Sequence, residues 1–113
     1  MSDESDVAAI AGLLEDSVSR CILRSAHDEH MAASELAERC DVSEPTIYRR
    51  LETLREHDLV VERGRPGDRG HHYTEYRTNL NRVTVEIRGD GFELRIDRRE
   101  TPADRFTRLI EEM

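Results

Sequence analysis

The chain has 113 residues, with 25 acidic side chains against 17 basic ones and a formal net charge of −8, so it holds one domain, or one domain with an arm. No apolar run approaches the ~18–20 residues of a membrane span, and the acidic start Met-Ser-Asp-Glu-Ser-Asp is neither a signal peptide nor a basic transit peptide. Two cysteines make no disulfide framework, which points to a cytoplasmic protein.

The elements follow in chain order. Residues 7–26 read as one helix, with Ile10, Leu14, Val18, Cys21 and Ile22 at helical spacing and Leu13 widening the stripe. Residues 34–40 form a short helix capped by Ser34, with Leu36, Ala37 and Cys40 facing inward. Asp41-Val42-Ser43 is a tight turn. Ser43 then caps a third helix that runs to Glu56, with Pro45 in its first turn. A strand opens at Leu59, and the glycine-rich stretch Arg63–Gly70 is an exposed tip before a return strand at His72–Thr78. Residues 83–98 form a second hairpin, turned at Asp90-Gly91. Thr101 and Pro102 start a last helix over 102–113, with the stripe Phe106, Leu109, Ile110 and Met113.

The fold class expected is α+β, a winged helix-turn-helix with an extra C-terminal hairpin and helix. The parts are helix 1 (7–26), helix-turn-helix (34–57), wing (58–79), second hairpin (83–98) and a C-terminal dimerisation helix (102–113). The anchored residues Leu36-Ala37, Val42-Ser43, Pro45-Thr46, Leu51 with Leu54, and Leu59-Val60 carry a resemblance. The segment 33–63 resembles the winged helix-turn-helix of ArsR-type and related PadR- and MarR-type transcription regulators. With the acid-rich, lysine-free composition it is similar to the haloarchaeal branch of these regulators, one member of which governs an oxidative-stress response. The resemblance implies a homodimer that binds double-stranded DNA at a pseudo-palindromic site.

The third helix explains why that pattern suits DNA. At about 100° per residue from Ile47, Leu51 and Leu54 share the core face, Arg49 points oppositely at about 200°, and Tyr48 and Thr46 flank it. Such a helix fits the major groove, where arginine pairs with guanine and a glutamate accepts from cytosine. Candidate DNA-binding residues are therefore Ser43, Glu44, Pro45, Thr46, Tyr48 and Arg49, with Arg50 nearer the core and directed along the backbone. The wing adds Arg65, Arg69, His71 and His72 beside Arg63, as a minor-groove element. The alternatives are a merely solvated helix face and a merely mobile hairpin.

Charge distribution bears on this. Residues 1–42 carry ten acids and three arginines, whereas 43–81 are neutral and hold seven arginines. All 17 basic residues are arginine. Such an acid-rich balance is that of a protein hydrated in molar salt. Ordinary counterion release would abolish DNA binding there, so bound cations are expected between carboxylates and phosphates. A protein-interaction module that keeps the winged helix without DNA is the alternative function.

Cys21 and Cys40 both fall on apolar helix faces and read as small buried hydrophobes. The alternative is a redox sensor, with Arg20 and Arg24 near Cys21 to favour its thiolate. His27, His30, His71 and His72 have no zinc spacing with the cysteines, so no metal and no other cofactor is expected. No phosphate loop, nucleophile elbow or catalytic carboxylate pair occurs, and the chain is not expected to be an enzyme.

Overall fold

The computed structural model describes residues 4–111. It is an α+β winged helix. The elements are α1 (Glu4–Glu15), α2 (Ser17–Ser25), β1 (Met31–Ala32), α3 (Ala33–Cys40), α4 (Glu44–Glu56), β2 (Val60–Pro66), β3 (His72–Thr78), β4 (Leu80–Arg88), β5 (Gly91–Arg98) and α5 (Pro102–Glu111). Among the described residues, no helix is long and apolar enough to cross a membrane.

The single helix expected over 7–26 is two helices, broken at Asp16. That residue leaves helical geometry, with φ −74° and ψ 120°, and its carboxylate accepts from the Ser19 N–H and hydroxyl, each at 2.8 Å. Arg20 closes the other side by donating to the carbonyls of Leu14 and Glu15, each at 2.7 Å. The apolar stripe runs through this break because side-chain periodicity does not register a cap. Ile10, Leu13 and Ile22 are buried, and Leu14 and Val18 pack on them. The stripe of residues 7–26 thus closes the chain's own core.

Two smaller differences lie at α3. Its N-cap is Ala32, not Ser34, and Glu35 reaches back to accept the Ala32 N–H at 3.1 Å. Met31 and Ala32 form an unanticipated strand against Tyr76 and Glu75, which makes the wing a three-stranded antiparallel sheet in the order β1-β3-β2. A two-residue strand has no periodicity to read.

The turn into α4 is as expected. Asp41 takes the left-handed conformation (φ 54°), and the Val42 N–H donates to Ala37 O at 3.1 Å. Ile47, Leu51 and Leu54 of α4 are buried against Ile22, Leu36, Leu59 and Val60. The wing strands run further than the composition suggested, since β2 and β3 stay paired to Pro66↔His72. Only residues 67–71 form the tip. Glycine is required at 67, where an added Cβ would lie 2.4 Å from the His71 carbonyl oxygen.

The second hairpin starts at Leu80 and pairs Arg88 with Gly91, so its turn residues are Gly89 and Asp90 rather than Asp90 and Gly91. Gly89 supplies the positive φ of 43°. Buried Asn79 joins this hairpin to the wing. Its Nδ2 donates to Asp58 O (3.0 Å) and Glu100 O (2.9 Å), and its Oδ1 accepts from the Glu100 N–H at 2.9 Å. Arg98 holds the end of α4, donating to His57 O at 2.7 Å and Asp58 O at 3.2 Å. A cation at a helix C-terminus also complements its dipole. Thr101 caps α5, accepting from the Asp104 N–H at 3.1 Å. Phe106, Leu109 and Ile110 of its stripe are exposed, and Met113 lies outside the described residues.

Cys21 and Cys40 are joined by a disulfide. This overturns the reading of both as separate small hydrophobes. Their sequence separation of 19 hides a Cα–Cα distance of 5.9 Å, set by α2 packing on α3. As a disulfide they offer no thiolate to a metal.

Candidate nucleic-acid interface

The exposed side of α4 faces the wing across a groove. Ser43 fixes the helix start: its hydroxyl accepts the Thr46 N–H at 3.3 Å and lies 3.0 Å from Thr46 Oγ1. Arg49 is exposed and rests one turn back on Thr46, donating from Nη2 to Oγ1 at 3.2 Å. Glu44 and Pro45 are also exposed, and Tyr48 keeps 51% of its surface open. In the first two turns Glu44, Tyr48 and Arg49 are therefore exposed, and half-buried Thr46 lies beneath Arg49.

A groove separates this helix from the wing. Ser34 and Glu35 of α3, Glu44 and Tyr48 of α4, and His72 and Thr74 of β3 line it. It brings together three of the residues expected from sequence: Glu44, Tyr48 and His72. Ser34 and Thr74 were missed. The alternation His72, Thr74, Tyr76 on one face of β3 is the signal that marks Thr74. Ser34 is placed only by the packing of α3. Tyr76 is buried at the groove's inner end, and burial, with Glu62 and Tyr48 nearby, raises its phenol pKa.

Other expected residues lie elsewhere. Arg50 Nε donates to Asp16 Oδ2 at 2.8 Å, and its Nη2 reaches Oδ1 at 3.4 Å. This guanidinium ties α4 to the α1–α2 break. Its hydrogen bond is the main reason the Asp16 carboxyl is held down to about pKa 2, with the two Ser19 hydrogen bonds assisting against partial burial. Arg63 and Arg65 both pair with Glu75, at 2.9 and 3.5 Å. Strand register puts these three on the wing face opposite His72, Thr74 and Tyr76. Arg69 and His71 are exposed at the wing tip, where Arg69 adopts the left-handed conformation with φ 58°. A non-glycine residue held there is uncommon.

The arrangement can place one helix and one hairpin tip on a polyanion, with backbone N–H groups at the α4 start available to phosphate. No curated protein matches the chain in sequence. Residues 11–63, from within α1 to the middle of the first wing strand, match the family model described as a helix-turn-helix domain, which supports a DNA-binding regulator.

Proposed function

We propose that the protein is a sequence-specific transcription regulator of the cytoplasm that binds double-stranded DNA as a homodimer. The recognition helix α4 enters the major groove, and the wing tip lies at the minor groove. The observation that carries this reading is the exposure of Glu44, Tyr48 and Arg49 in the first two turns of α4, with Arg49 resting on Thr46, together with a glycine-dependent wing tip. Arg49 reads guanine, and Glu44 accepts from cytosine. Arg69 and His71 are the wing contacts. Arg50, engaged with Asp16, positions the helix instead of reading bases.

Two copies would place two α4 helices on a pseudo-palindrome with half-sites about 34–36 Å apart, one helical turn of DNA. The exposed stripe of α5 is the surface for pairing. The excess of carboxylates suits molar salt, where cations bridge them to phosphates.

Selection of duplexes from a randomised pool in molar KCl tests the proposal. The wild-type chain is expected to enrich a two-fold motif. Arg49→Ala should bind that motif more weakly, by about 1–3 kcal/mol for loss of a bidentate guanine contact, while remaining folded. Equal binding by the variant would remove Arg49 from the interface. Absence of any enriched motif would favour a protein-interaction module, which the −8 charge would suit.

A further inference from the structure

The Cys21–Cys40 disulfide lies where the recognition helix is hung. Cys40 is the last residue of α3, and the Asp41-Val42 turn after it leads directly to Ser43, the cap of α4. Cys21 sits in the middle of α2. The bond therefore fixes the departure point of α4 to α2. The Asp16–Arg50 pair provides a second link, because Asp16 begins α2 and Arg50 lies mid-α4. Reduction would cut the covalent link and leave the ionic one.

The covalent link is not the only one between these helices. Ile22, Leu36, Ile47, Leu51 and Leu54 join α2, α3 and α4 in the buried core, and neither cysteine is fully buried. Both sulfurs sit at the half-buried margin, and Cys21 Sγ is 3.7 Å from the Ser25 hydroxyl, a ready hydrogen-bond partner for a free thiol. A regulator acts where DNA is kept, and such compartments hold thiols reduced. Disulfides there are transient or redox-sensing more often than structural.

We propose that the Cys21–Cys40 disulfide is a redox switch on DNA affinity, with the oxidised chain the tight-binding form; this rests on the DNA-binding function proposed above. An external low-molecular-weight thiolate attacks one sulfur to give a mixed disulfide and one free cysteine thiolate. A second external thiolate displaces the other cysteine. Two electrons pass to the protein, two protons complete its two thiols, and one external disulfide leaves. The freed end of α3 then lets the 41–43 turn move, and the helix start no longer meets DNA in one fixed geometry.

The test uses the full chain in molar KCl, with duplexes that the oxidised chain has enriched from a randomised pool. Binding is titrated for the oxidised, dithiothreitol-reduced and re-oxidised chain. Reduction should weaken binding about tenfold, within the usual range of coupling between sites, and re-oxidation should restore it. Hydrogen exchange at the amides of residues 41–44 and 46 should rise on reduction. The double variant Cys21→Ser, Cys40→Ser should bind at the reduced level and ignore dithiothreitol. Equal affinity in both redox states overturns the switch while leaving the DNA-binding reading intact. Global unfolding on reduction, seen by circular dichroism, also overturns it and makes the bond a structural staple. An oxidised chain that enriches no duplex overturns the DNA-binding reading, and the switch with it. If the double variant does not fold, the chemically reduced wild type decides.

Discussion

Asp16 joins the α1–α2 break to the recognition helix. One carboxylate starts α2, accepts from Ser19 twice and holds Arg50 of the recognition helix. Its folded pKa of about 2 lies below the ordinary 3.8, so the fold favours the charged form. Its contribution is present above pH ~4 and is lost as pH falls through the folded value. Asp16→Asn should cost about 1–2 kcal/mol in urea unfolding at pH 7, since the pair is partly exposed and therefore screened. The same variant should lose much of the wild-type stability slope between pH ~4 and ~2. A variant with an unchanged slope would show that the pair contributes nothing net.

At the scale of elements, α4 depends on both its ends. Ser43 accepts the Thr46 N–H at the start, and Arg98 covers the last carbonyls at His57 and Asp58. Ser43→Ala is expected to cost about 1 kcal/mol, typical of a lost N-cap, measured by thermal unfolding. DNA affinity should fall as well, because Thr46 and the Arg49 resting on it lose their anchor. This helix was legible in the sequence, since cap, first-turn proline and apolar stripe all agree. The break at Asp16 was not, because the stripe on either side stays in phase with one core. Strand β1 was equally hidden: two residues become a strand only when β3 is alongside.

At the scale of the whole molecule, the exposed large apolar side chains among the described residues, Tyr48 and Tyr73 apart, sit in two places. One is the α5 stripe, where Phe106 is 66% exposed, and the other is the far half of the second hairpin, where Ile87 is 79% exposed. Contiguous patches of this kind mark interaction sites. Phe106→Asp combined with Ile110→Asp should shift sedimentation from dimer to monomer with little change in circular dichroism. If the variant stays dimeric, α5 is not the interface. Salt provides a second test at this scale. If cations are taken up as carboxylates approach phosphates, as proposed, titration of DNA binding from low to molar KCl should show a shallow fall or a rise. The ordinary slope of roughly −0.9 per phosphate contact would count against such uptake.

Local chemistry determined much of this protein. Capping residues, turn glycines and apolar spacing specify α4, the wing and the second hairpin. Charge counting along the chain places −7 of the net −8 in residues 1–42 and leaves residues 43–81 neutral. Those signals act over a few residues and are therefore written in order. What joins distant segments is not. Arg50 meets Asp16 across 34 positions, and Arg63 and Arg65 are drawn to Glu75 on the far side of the wing. Cys21 meets Cys40 only because α2 packs on α3. Helix angles and strand alternation say which face a side chain takes. The partner waiting on that face is decided by tertiary packing alone.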